Sequence, residues 1–197
     1  GEDEDYLIVN DTGETENSSA TLTSDSIRGL DMVAGIDYSE LEGLDILFGS
    51  GNDTMNVEST HTGISYISTG TGQDEANVET IAGETIVKLG ADDDTINVSD
   101  TSNKTDNIAA ALIVSGGSGQ DNLNVDDSGD TEDNTAILYE TLLTGLGMNG
   151  EIDYGSFENL DIKFGSGSDI LSIDSTHQHS TTISTGIGYD TVDVGSI

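Results

Sequence analysis

Residues 49–57 read Gly49-Ser50-Gly51-Asn52-Asp53-Thr54-Met55-Asn56-Val57, a G-x-G-x-D-x-Φ-x-Φ pattern in which Φ is apolar. The two glycines permit a tight turn with positive φ and leave backbone carbonyls bare. Asp53 adds a carboxylate oxygen beside them. Met55 and Val57 then alternate with polar neighbours, the period of a strand with one buried face. The pattern returns. Gly70, Gly72 and Asp74 lead to Val78; Gly90, Asp92 and Asp94 lead to Val98; Gly117, Gly119 and Asp121 lead to Val125. Gly165, Gly167 and Asp169 lead to Ile173, and Gly186, Gly188 and Asp190 lead to Val194. A weaker copy with Asp3 and Asp5 opens the chain. One copy would mean little. Repetition in register predicts a repeat architecture.

Asp53 and Asp169 lie 116 positions apart (169 − 53), and the same offset pairs Tyr38 with Tyr154, Phe48 with Phe164 and His61 with His177. No gap is needed between residues 1–81 and 117–197. The chain therefore divides into a first long repeat, 1–116, and a second, incomplete one, 117–197, expected to form one continuous solenoid. Within a repeat the motifs step by 20, 21 or 27 residues. Gly29-Leu30-Asp31 and Gly145-Leu146-Gly147 fall in the longer gaps and read as degraded turns, giving five rungs per repeat. The acidic stretches 10–19, 126–134 and 99–107 read as surface inserts. Because the chain opens inside a motif, it reads as a segment of something longer.

Strand character flanks each turn. Leu44, Ile46 and Phe48 alternate with polar or outward positions, and the residue three before each motif glycine is always apolar. No stretch carries a helical period with a cap. Rungs of about 20 residues with short strands predict an all-β chain folded as a parallel β-helix solenoid.

Charge narrows the chemistry. The 197 residues carry 39 acids against four bases, a net charge of −35. Nucleic acid and anionic membrane are poor partners for such a chain, and no apolar run is long enough for membrane insertion. Disorder, adaptation to high salt and cation binding all fit the composition. The regular Val, Ile and Leu after each turn argue against disorder. Stacked turns would also stack Asp53, Asp74, Asp94 and Asp121 at strand spacing, about 4.8 Å. Each neighbouring pair then repels by roughly 1 kcal/mol in water and about 3–4 kcal/mol at an effective dielectric of 20. A dication between rungs would relieve this. Calcium accepts carboxylates and carbonyls together in flexible geometry, whereas zinc and copper prefer the His and Cys that the turns lack.

The run Gly-Ser-Gly-Asn-Asp-Thr-Met-Asn-Val resembles the hemolysin-type calcium-binding repeat, the RTX nonapeptide. The resemblance implies a right-handed parallel β-roll holding Ca2+ between successive turns. It implies the motif glycines and Asp53, Asp74, Asp92, Asp94, Asp121, Asp169 and Asp190 as ligand positions. The family places two nonapeptides in each rung. Here there is one, so a single edge is expected to carry calcium.

Other candidates point elsewhere. His61, His177 and His179 suit a transition metal or a solvated turn, and the solvated turn is the simpler reading. Tyr38, Tyr154, Phe48 and Phe164 suit packing. Paired acids are unavoidable in this composition and do not indicate an enzyme; no nucleophile elbow, phosphate loop or zinc-hydrolase helix is present. The outward turn positions Ser50, Thr71, Ala91, Ser118, Ser166 and Ile187 are too irregular for an ice-matching row. The sequence thus leads to a calcium-binding structural segment of a large extracellular repeat protein, such as an adhesin, surface layer or filament shaft. Its partners would be adjacent repeats or other copies. A folding or secretion appendage of a secreted enzyme or toxin is the alternative.

Overall fold

The structure is a computed structural model describing residues 4–195, so the expectation for Asp3 lies outside the described residues. Nineteen strands and no helix form two sheets among these residues. Sheet one orders β1 (Tyr6–Asn10), β5 (Gly43–Leu47), β7 (Ile64–Thr71), β9 (Thr85–Ala91), β11 (Ala111–Ser118), β15 (Glu151–Gly155), β14 (Leu142–Gly145), β13 (Thr135–Leu138), β17 (Ile170–Ile173) and β19 (Thr191–Val194). Sheet two orders β18 (Ser180–Ser184), β16 (Asn159–Lys163), β12 (Asn122–Asp126), β10 (Thr95–Val98), β8 (Glu75–Val78), β6 (Thr54–Val57), β2 (Ser19–Leu22), β3 (Ser26–Gly29) and β4 (Ile36–Asp37).

Most pairs are parallel, so no tight hairpin can join neighbours. The chain crosses to the other sheet and returns one strand further on. The motif spacing sets the register. Met55 lies opposite Ala76, Ala76 opposite Ile96, and Ile96 opposite Leu123. In sheet one, Ile46 lies opposite Ile67, Ile67 opposite Val87, and Val87 opposite Val114. These inward rows are buried and join in one core, with Leu44, Ile46 and Phe48 inside as expected. A slip by one residue would turn a whole row outward, so the alternation defines the pairing. Outside sheet two, Asn56, Asn77, Asn97 and Asn124 hydrogen-bond side chain to side chain at 2.8–3.0 Å, binding neighbouring strands a second time.

Two segments depart from this plan. β2–β3–β4 and β13–β14–β15 are antiparallel meanders within one sheet. Gly29 and Gly145, expected as degraded rung turns, end the middle strands of these meanders. Each has φ above +90° and packs on the carbonyl of Ser19 or Thr135, so a close backbone approach explains the glycine. The expected five rungs per repeat are therefore not observed. Between β1 and its mate β12 the chain crosses between sheets nine times, an odd number. Equivalent strands of the two long repeats consequently occupy opposite sheets: β1 and β12, β5 and β16, β6 and β17, β8 and β19.

His61 is also placed differently. It is buried rather than solvated, edge-on to Tyr38 at 6.0 Å, and its Nδ1 accepts the Gly63 N–H at 2.9 Å. Tyr38 and Tyr154 act as packing residues whose hydroxyls donate to the carbonyls of Thr23 and Tyr139.

Candidate metal sites

Turns joining sheet one to sheet two form a first edge, and turns in the other sense form a second. The Gly49, Gly70, Gly90 and Gly117 motifs lie on the first edge; the Gly165 and Gly186 motifs lie on the second. The expectation of a single ligand-bearing edge is corrected by the odd number of crossings, which carries the second repeat's turns to the opposite side.

The turn glycines stack backbone on backbone. A Cβ on Gly70 would stand 2.1 Å from the Gly49 carbonyl oxygen, and one on Gly90 would stand 2.0 Å from that of Gly70. A Cβ on Gly117 would meet the Gly90 oxygen at 2.0 Å. Gly72 packs on Gly51 in the same way, and Gly119 on Asp92. On the second edge Gly186 abuts Gly165, and Gly188 abuts Gly167. Asp92 occupies a glycine place with φ of 81°; its Oδ2 accepts the Gly72 N–H at 3.2 Å, which offsets part of the strain.

The aspartates also stack. Asp53, Asp74, Asp94 and Asp121 are each at most 3% exposed. Each carboxylate accepts the backbone N–H of the turn before it. Ser18 N–H donates to Asp53 Oδ1 at 2.7 Å, Asp53 N–H to Asp74 at 2.8 Å, Asp74 N–H to Asp94 at 2.8 Å, and Asp94 N–H to Asp121 at 2.9 Å. Asp121 N–H ends the column on Glu158 Oε2 at 2.8 Å. Asp5 N–H donates to Glu42 in the same manner, and Asp5 itself is exposed. On the second edge Asn134 N–H donates to Asp169 Oδ1 at 2.8 Å, and Asp169 N–H to Asp190 Oδ1 at 3.1 Å.

Backbone amides thus supply part of the compensation expected from a dication. They reach only one oxygen per carboxylate. The Oδ2 atoms of Asp74, Asp94, Asp121 and Asp169 are buried without a hydrogen-bond partner. An unpaired buried carboxylate oxygen is costly. Burial raises the pKa of Asp53, Asp74, Asp121 and Asp169, and neighbouring carboxylates add to the rise. Asp94 is pushed up to about 7 by burial, then by the charges of Asp74, Asp121 and Asp92.

The motif spacing marks the column but not its ends, Glu42 and Glu158, whose separation of 116 positions (158 − 42) is the signal that the sequence carries for them. The inserts, expected as surface loops, bury Thr105, Asp127, Asp130 and Asn134. Among the described residues, the only three acids with ligand oxygens within 4.8 Å of one another are Asp106, Asp127 and Asp130. A cation in either aspartate column would therefore need oxygens beyond the carboxylates. Turn carbonyls and water are the donors to hand.

No family model matches the chain, and neither a curated protein nor a solved structure shows significant similarity to it.

Proposed function

We propose that the chain is a calcium-binding structural β-solenoid, part of a large extracellular repeat protein of the adhesin, surface-layer or filament-shaft kind. The observation that carries this reading is the row of buried carboxylate oxygens without donors: Asp74, Asp94 and Asp121 on one edge, Asp169 on the other. Hard oxygen donors on flexible glycine turns suit Ca2+ better than a metal that favours nitrogen or sulfur. The likeness of each turn to the RTX nonapeptide supports the same ion. Calcium abundance outside cells supports an extracellular place. Adjacent repeats or other copies of the chain would be its mechanical partners. A β-solenoid appendage of a secreted enzyme or toxin uses the same chemistry and is distinguished by a catalytic domain in the same polypeptide.

The test is a calcium titration followed by melting and by calorimetry. At pH 8, calcium is expected to raise the melting temperature by roughly 10 °C over the chelated protein, as for a ligand near a thousandfold above its dissociation constant. Equal melting in calcium and in chelator would reject the reading. Asp94→Asn is the accompanying variant. It keeps an oxygen for the Asp74 amide and removes the desolvated charge. In chelator at pH 8 it should melt higher than the parent, and its gain from calcium should be smaller. A variant that loses stability in chelator and responds fully to calcium would show that Asp94 is no ligand.

A further inference from the structure

The stations along the two edges differ in how their carboxylates are satisfied. Thr105 N–H donates to Asp127 Oδ1 at 3.0 Å, the same amide-to-carboxylate step that Asp74 makes to Asp94. At Asp94 the second oxygen is left without a donor. At Asp127 it is not: Asn134 Nδ2 donates to Asp127 Oδ2 at 3.1 Å. The same amide nitrogen reaches Asp130 Oδ2 at 2.6 Å, and Lys104 Nζ donates to Asp130 Oδ1 at 2.7 Å. Asp106 Oδ2 stands 4.0 Å from the ammonium. Every oxygen of the two buried aspartates therefore has a donor from the chain, and one donor is a cation.

We infer that Lys104 is the chain's built-in cation on the second edge, taking the part that a metal ion plays at the unpaired turns, so that this station holds its structure without metal. The contrast with the other turns rests on the calcium reading above.

The local sequence is arranged to deliver that ammonium. Asp100 Oδ1 accepts the N–H groups of Ser102 and Lys104 at 2.7 and 3.0 Å, and Asp100 N–H donates to the Lys104 carbonyl at 2.8 Å. This closes the insert into a compact loop with Lys104 facing the 127–134 insert. Three carboxylates within 4.8 Å would otherwise attract a dication. The ammonium already placed there donates to Asp130 and offsets one of their three charges, so a dication would gain less there. The station also leads into the second column, because Asn134 N–H donates to Asp169 Oδ1. A metal-independent link thus stands next to the first turn of that edge with an unpaired oxygen.

Amide hydrogen exchange on the intact chain tests this, run below the melting temperature of the chelated protein. On moving from calcium to chelator, the amides of Asp53, Asp74 and Asp94 should lose at least about tenfold in protection, while Thr105 changes by less than about twofold. Lys104→Met should make the Thr105 amide calcium-dependent and add one calcium in calorimetry. Lys104→Arg, which keeps the charge, should behave as the parent. A Thr105 amide that falls with chelation as far as Asp94 would overturn the inference, and so would a Lys104→Met protein with unchanged Thr105 protection in chelator. If the Asp53, Asp74 and Asp94 amides ignore chelation in the parent, the calcium reading fails by itself. The role of Lys104 is then decided in chelator alone, where loss of Thr105 protection in Lys104→Met and its retention in Lys104→Arg uphold it.

Discussion

Gly90→Ala is expected to cost several kcal/mol, a large share of the roughly 5–15 kcal/mol that holds a typical domain together. Two independent penalties meet at this residue. Its φ is +115°, which an L side chain rarely adopts, and its new Cβ would stand 2.0 Å from the Gly70 carbonyl oxygen. That oxygen belongs to backbone, so no side chain can swing aside. Relief requires separating the Gly70 and Gly90 turns, which stretches the hydrogen bond from Asp74 N–H to Asp94. The strain also passes upward, because the Gly90 carbonyl is itself the surface on which Gly117 packs. Two control variants separate this from the general cost of losing a glycine. Gly13 and Gly155 have no atom within 4 Å of an added Cβ and no positive φ, so Gly13→Ala and Gly155→Ala should stay within about 0.5 kcal/mol of the parent. Thermal melts of the three variants give the answer. A Gly90→Ala protein that melts with the controls would mean that the glycine turns do not lie one above another.

The parts of this arrangement that the sequence reveals are those a local period can encode. Met55, Ala76, Ile96 and Leu123 are each two residues after a motif aspartate, and that spacing alone places them in one inward row. The meanders escape the same logic. Ser26–Gly29 alternates with the same period of two as a parallel strand, and its closing glycine imitates a motif turn. Direction of pairing is not written in such a pattern. The opposite placement of the two repeats escapes it as well, since the parity of crossings decides the edge and the period does not say which connections cross. His61 escaped for another reason. Its ring packs edge-on against Tyr38, just past the meander and not near in sequence. The column of aspartates was legible, while its hydrogen-bonding was not: a carboxylate that accepts the amide of the turn before it looks, in sequence, the same as one that only awaits an ion.

That double character gives the columns a pH response whose sign separates the two states of the protein. In chelator, the chain is expected to melt roughly 5–10 °C higher at pH 5 than at pH 8. The folded pKa of Asp94 is raised from 3.8 to about 7, chiefly by burial, and Asp53, Asp74, Asp121 and Asp169 move in the same direction. A group raised in this way binds its proton more tightly when folded. Its stabilising contribution is complete below the unfolded value near 4 and disappears as pH rises through the folded value. For Asp94 the full swing is on the order of 4 kcal/mol, from a pKa moving between 3.8 and about 7. His61 and His177 oppose it, because burial lowers their pKa and their contribution is lost as pH falls through the same window. Asp126 and Asp130 are lowered, but they lose their contribution only as pH falls from about 4, below the window compared. The aspartates outnumber the histidines and are more deeply enclosed, so the net slope is downward with pH. A dication favours the ionised carboxylates that pH 8 provides, so with saturating calcium the difference should shrink to the part due to Asp127, which burial also pushes up to about 7 at the station that Lys104 serves in place of metal. Melting in chelator that is equal at the two pH values, or higher at pH 8, would show that the unpaired oxygens of Asp74, Asp94, Asp121 and Asp169 do not strain the metal-free fold. The electrostatic reason for an ion in the columns would then be lost.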